Sequence, residues 1–191
     1  MFSIETARLI LRDIVEADLK AFFALGHDPA VMQFQDFIYT ADEAQAAVWL
    51  KGAELYNQQA PREVYSLAIL RKQDQAWLGW IGMGPPGDRS AGDLDFGYAL
   101  HSAYWGQGYM SEALAGLVDF SFQNLAVEKI FGECEQGNPG SARVMEKAGL
   151  RREAAYTEVD EVKGKTKAML RYSITRMEWE DRISYNQHNS T

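Results

Sequence analysis

Gly106 and Gly108 lie in the run Ala103-Tyr104-Trp105-Gly106-Gln107-Gly108-Tyr109-Met110-Ser111-Glu112-Ala113, between a segment of strand periodicity and one of helical periodicity. At such a junction the first helical amides have no partner within the helix and the helix dipole is positive, so backbone alone can hold a pyrophosphate. Glycine suits the position because a side chain would block the approach. A tight strand-to-helix turn would use the same residues. Two other phosphate loops fail on sequence. The full Walker pattern, Gly-x-x-x-x-Gly-Lys followed by Ser or Thr, does not occur, and a dinucleotide fingerprint needs a third glycine where Ser111 stands.

Cys134 is the only cysteine, so it can form no internal disulfide, and no histidine lies near it in sequence to activate it as a nucleophile. Its pattern is that of a buried strand residue. His27, His101 and His188 show no metal-ligand spacing, and no metal is expected. The net charge of -8 argues against nucleic acid, whose phosphates need a basic face. An amine-bearing or cationic acceptor fits that charge better, although excess acid also serves solubility. With 47% hydrophobic and 24% charged residues and no apolar run near the ~20 residues of a membrane span, the chain reads as a soluble, cytoplasmic globule. Its 191 residues suit one domain over 1–175, with 176–191 a polar tail adding little to the core.

The elements that must position these groups follow from periodicity. Ala7, Leu9 and Leu11 alternate with Arg8, Ile10 and Arg12 as a first, half-buried strand. Leu19, Phe22, Phe23 and Gly26 share a helical face, and His27-Asp28-Pro29 turns the chain. Thr40-Ala41-Asp42-Glu43 reads as a capping box before a stripe of Ala44, Ala47, Val48, Lys51 and Leu55. Residues 64–70 and 77–83 form a hairpin, and 93–100 a further strand in which Gly97 suggests a bulge. Residues 111–125 make an amphipathic helix and 128–135 a strand. A short helix over 139–148 follows, capped by Asn138 and ended by Gly149. Strands over 151–162 and 166–175 flank Lys163-Gly164-Lys165. This order gives a mixed α+β sheet flanked by helices in three layers.

Four segments of the chain, in order, resemble the GNAT acetyltransferases, and within them the RimJ/RimL-like branch. They are Thr6-Ala7-Arg8-Leu9-Ile10-Leu11-Arg12, Leu78-Gly79-Trp80-Ile81-Gly82 with Asp95-Phe96-Gly97-Tyr98-Ala99-Leu100, the glycine run from Tyr104 to Ala113, and Asn138-Pro139-Gly140-Ser141 with Glu146-Lys147-Ala148-Gly149-Leu150. The resemblance implies a GNAT acyl-CoA N-acyltransferase fold, with a V-shaped opening between parallel strands holding Asp95 and Glu133. The pantetheine arm of acetyl-CoA would lie there and its pyrophosphate on the amides of Trp105, Gly106, Gln107, Gly108, Tyr109 and Met110. Leu100, Asn138, Ser141 and Arg143 complete the implied cofactor contacts.

An amine attacks only when neutral, and a lysine ammonium has a reference pKa of about 10.4. The resemblance implies Asp95 as the base acting through water, with Glu133 or Glu135 as alternatives, and Ser141 as donor to the departing thiolate. Many members use a tyrosine later in that helix, where Met145 stands here. A backbone amide near Gly97 to Leu100 would polarise the thioester carbonyl. The implied activity is acetyl transfer from acetyl-CoA to a primary amine, a protein N-terminus or a small molecule, by a monomer or homodimer without nucleic acid or membrane. The competing reading is a non-catalytic acyl-CoA-binding or sensing domain.

Overall fold

The computed structural model describes residues 1–35, 42–87, 92–160 and 165–188. Its strands are β1 (Ser3–Glu5), β2 (Leu9–Asp13), β3 (Tyr65–Arg71), β4 (Trp77–Gly84), β5 (Asp93–Leu100), β6 (Lys129–Glu135), β7 (Arg151–Asp160) and β8 (Lys165–Thr175). The helices are α1 (Leu19–Gly26), α2 (Pro29–Met32), α3 (Glu43–Asn57), α4 (Tyr109–Asn124), α5 (Pro139–Lys147) and α6 (Arg176–His188). The strands make one sheet in the order β1-β2-β3-β4-β5-β6-β8-β7, antiparallel throughout except where β5 meets β6 in parallel.

Both faces of the central strands are covered, so β3 and β4 read as unbroken apolar runs. Leu67, Ile69 and Ile81 point into a core shared with Leu114, Leu117 and Val118 of α4, whereas Ala68 and Trp80 point into a second core with Phe22, Leu25 and Leu50 of α1 and α3. Leu9 and Leu11 are fully buried between partly exposed neighbours, as their alternation predicts.

Four expectations need correction. The first strand is a hairpin instead: β1 pairs with β2, and Thr6 to Arg8 form its turn, closed by the Thr6 amide donating to the Leu9 carbonyl at 3.0 Å. On α3 the buried face is Ala46, Leu50, Ala53 and Asn57, while Val48 and Leu55 are 74% and 57% exposed. Asn57 belongs inside because its side chain closes a pair of hydrogen bonds with the Ser66 backbone, at 2.8 and 2.9 Å. Thr40 and Ala41 of the expected capping box lie outside the described residues. Asp42 is the cap, accepting from the Gln45 amide at 2.8 Å.

No bulge occurs at Gly97, since the β4–β5 register runs unbroken from Gly84↔Asp95 to Gly79↔Leu100. The polar segment after Thr175 is a helix that joins the core. Trp179 is 9% exposed, stacks on Phe122 at 5.4 Å and donates to Asp119 at 2.7 Å, and Arg182 donates to the Ala148 carbonyl at 2.6 Å. The one Gly-Lys-Thr of the chain, 164–166, has Val159 where a Walker loop needs its first glycine, and Lys165 opens a strand rather than a helix.

Candidate active site

Strands β5 and β6 are paired only from Asp93↔Lys129 to Asp95↔Phe131. Beyond that point they part, and a cleft of about 800 Å³ opens between Phe96 to Leu100 on one side and Gly132 to Glu135 with the start of α5 on the other. No bulge accompanies the parting, and side chains fill its apex. The Phe96 ring lies where a Cβ on Gly132 would stand, and Phe96 stacks on Tyr98 at 6.0 Å. Tyr98 then reaches across, its hydroxyl 2.8 Å from Ser141 Oγ. On the exposed edge of β5 the Tyr98 carbonyl accepts from Gln35 Nε2 at 2.9 Å.

The glycine loop closes one end of this cleft. Gly106 and Gly108 have φ of +75° and +80°, which L side chains rarely adopt. Among the described residues nothing lies within 4 Å of a Cβ at Gly106, and only Arg8 Nη2, at 3.5 Å, near one at Gly108. Conformation rather than crowding therefore calls for glycine, and the bend is left bare. Gly108 caps α4 without a side chain, so no side-chain acceptor takes up the first amides of that helix. This arrangement fits a pyrophosphate, which needs free N–H groups at a positive helix end.

A network behind the loop fixes it. Arg8 Nη1 donates to the Gln107 carbonyl at 3.0 Å, and Arg8 Nε to Glu112 at 2.6 Å. Glu112 also accepts from the Thr6 hydroxyl at 2.6 Å and the Arg8 amide at 2.7 Å. Burial alone would raise the Glu112 carboxyl, but these donors outweigh it and hold the group below its ordinary value.

The opposite end is acidic. Arg171 grips Glu133 and Lys167 lies 3.3 Å from Glu135. Asp95 has no ion pair or hydrogen bond through its side chain among the described residues. Its tip meets water, yet the surrounding walls push its pKa up, with Glu133 adding to the rise and Arg171 offsetting part of it. Burial likewise pushes the Cys134 thiol up, with Ser141 countering in part, which makes the thiolate scarcer.

Residues 8–151 match the acetyltransferase (GNAT) domain family. The chain belongs to that family. This GNAT acetyltransferase is 24% identical over 179 residues to an uncharacterised N-acetyltransferase of Bacillus licheniformis, covering 94% of this chain and 99% of the relative. It is 28% identical over 188 residues to the FsC-acetyl coenzyme A-N(2)-transacetylase of Aspergillus fumigatus, covering 93% and 77%. Among solved structures, RimL, the ribosomal L7/L12 alpha-N-protein acetyltransferase in complex with coenzyme A, shares the fold at a TM-score of 0.79 and 18% identity over 91% and 98% of the two chains. A GNAT-family acetyltransferase from Bacillus anthracis shares it at 0.76, with 20% identity over 92% and 99%.

The fold of this GNAT acetyltransferase brings Asp95, Glu133, Ser141, Asn138, Arg143, Leu100, Trp105, Gly106, Gly108, Tyr109 and Met110 to one cleft. Tyr109 and Met110 are buried, so they offer backbone rather than side chain. Gln107 does not line the cleft: its carbonyl faces Arg8 and its amide donates to Ala103 at 3.3 Å. Asn138 Oδ1 accepts from the Ser141 amide at 3.0 Å, as the capping pattern predicts. Sequence reasoning missed Tyr98, Arg171 and the Arg8–Glu112 pair. Period-two alternation could have put Tyr98 on the face of Phe96 and Leu100, but nothing local links Arg8 to a helix a hundred residues on.

Proposed function

We propose that this GNAT acetyltransferase moves the acetyl group of acetyl-CoA directly to a primary amine within a ternary complex. The observation that carries the reading is the parting of β5 from β6, because a single cleft then joins a bare anion-binding bend to Asp95 and Ser141. When bound, acetyl-CoA supplies a thioester whose acyl carbon is open to attack and whose sulfur departs with the electron pair.

The chain's own residues do the rest. Amides at the start of α4 hold the diphosphate, and Arg143 and Lys147, exposed at the cleft and without ion pairs among the described residues, add positive charge there. Asp95 takes the amine proton through water, a role suited to a carboxylate whose pKa is raised toward the working pH. A backbone amide near Gly97 to Leu100 polarises the carbonyl. Ser141 donates to the departing sulfur. Cys134, 7% exposed and held as a thiol by burial, is a poor candidate for an acetylated intermediate, which favours direct transfer.

The test is release of coenzyme A thiol from acetyl-CoA across a panel of peptide N-termini, polyamines, amino acids and aminoglycosides. Stoichiometric acetylation of at least one amine is expected. Tight acetyl-CoA binding with no turnover on any of them would overturn catalysis and leave a sensing domain.

A further inference from the structure

Ser141 is described above as a donor to sulfur, but a lone serine hydroxyl can spend its hydrogen on any nearby acceptor. Here its surroundings restrict that choice. The Ser141 amide is committed to Asn138 Oδ1 at 3.0 Å, which fixes the first turn of α5. The Tyr98 hydroxyl stands 2.8 Å from Ser141 Oγ and 3.3 Å from the Ser141 carbonyl oxygen, a serine backbone group that can only accept. The Tyr98 ring is itself held by its stack on Phe96, whose place depends on the missing side chain of Gly132. Asn138, Phe96 and Gly132 thus aim one phenol at one serine.

We infer that Tyr98 is a positioning residue for the leaving sulfur: its hydroxyl donates to Ser141 Oγ and so turns the Ser141 hydrogen toward the thiol end of coenzyme A. This rests on the acetyl-CoA reading given above. Burial keeps Tyr98 protonated, because it pushes the phenol well above its ordinary value and the bond to Ser141 offsets only part of that rise. Tyr98 therefore acts as a donor and not as a base. Ser141 also holds the Cys134 thiol below the value burial alone would give. On transfer the C–S bond breaks and its electron pair stays on sulfur, which leaves as a thiolate accepting the Ser141 hydrogen bond and then takes a proton from water. The proton leaving the amine through Asp95 balances the one gained by the thiol.

The experiment measures the affinity of the full-length protein for coenzyme A and for acetyl-CoA as pH rises through the pKa of the free coenzyme A thiol. A site that stabilises the thiolate binds coenzyme A more tightly above that value, by about tenfold for one well-placed hydrogen bond. Acetyl-CoA has no thiol to ionise and shows no such gain, which also controls for titration of Cys134. Tyr98→Phe, Ser141→Ala and the double variant should all lose the gain to the same extent, with acetyl-CoA affinity staying within about twofold in Tyr98→Phe. With an amine from the panel, kcat should fall about tenfold in Tyr98→Phe, and the double variant should be no slower than Ser141→Ala. Retention of the gain in Tyr98→Phe, or equal weakening of both ligands, overturns the inference. Should Tyr98→Phe fail to fold, 3-fluorotyrosine at position 98, a more acidic phenol of nearly the same shape, should deepen the gain, and an unchanged gain overturns the inference. If the wild type binds neither ligand, the acetyl-CoA reading itself fails.

Discussion

Arg171 holds a single oxygen of Glu133 from two nitrogens, Nη2 at 2.6 Å and Nε at 2.7 Å. A carboxylate so engaged has an oxygen committed to a charge-assisted pair. Asp95, across the parting of the strands, has no such partner among the described residues. Asp95→Asn is therefore expected to lower kcat by on the order of 100-fold with acetyl-CoA affinity intact. Glu133→Gln should cost less than about tenfold. Steady-state kinetics with isothermal titration would check both, and a larger loss in Glu133→Gln would reverse the assignment.

The same pair predicts a pH response. Asp95 must be ionised to accept a proton, and its pKa is raised by burial and then by Glu133, so the acid-side fall in rate should lie above the ordinary aspartate value of about 3.9. Arg171 pulls in the other direction. Arg171→Met removes that pull and leaves Glu133 unneutralised, so the fall should move to higher pH. A rate profile that stays in place, or moves down, contradicts this.

Gly108→Asp places a carboxylate beside the bare amides of α4. Acetyl-CoA affinity should drop by on the order of 100-fold, even though Arg8 Nη2, 3.5 Å from the new Cβ, neutralises part of the charge. Gly108→Ala adds no charge and should show mainly the strain of a left-handed φ, roughly 1–2 kcal/mol. Calorimetry separates the two effects. Unchanged affinity in the aspartate variant would mean that the diphosphate lies elsewhere.

Trp179→Ala should destabilise the fold by about 3–5 kcal/mol, because a buried indole is lost from its stack on Phe122 and from its bond to Asp119. At this chain length that is roughly 6–20 °C in Tm. A loss within about 0.5 kcal/mol would mean that α6 is only loosely docked.

On α3, Leu50→Ala should cost about 2–5 kcal/mol and Leu55→Glu less than about 0.5 kcal/mol, since the first is 1% and the second 57% exposed. Thermal melts compare them directly. The reverse ranking would restore the face suggested by the apolar stripe.

That contrast explains what could be read from the chain. The β3–β4 hairpin, α4 and α5 with its Asn138 cap announce themselves because period, cap and turn all agree locally. The face of α3 did not, because a polar residue, Asn57, is drawn inward by the Ser66 backbone while Val48 and Leu55 stay outside. Likewise α6 looked like a tail, since its single large anchor, Trp179, gives no period to detect.

In the site, the loop glycines, Asp95 and Ser141 were legible because each sits at a recognisable junction or in a matched segment. The partners that define their chemistry were not. Tyr98 meets Ser141 across 43 positions and Arg171 meets Glu133 across 38, distances over which only the assembled sheet sets the geometry.

The Thr6–Arg8 turn has a bearing on how the protein can be handled. Its two side chains and one amide converge on Glu112, and its guanidinium steadies the bend at Gln107, so the hairpin of β1 and β2 acts as a splint for the glycine bend. Anything that disturbs that turn, such as an affinity handle grafted into it, would be felt about a hundred positions downstream as a slackened bend at Gln107.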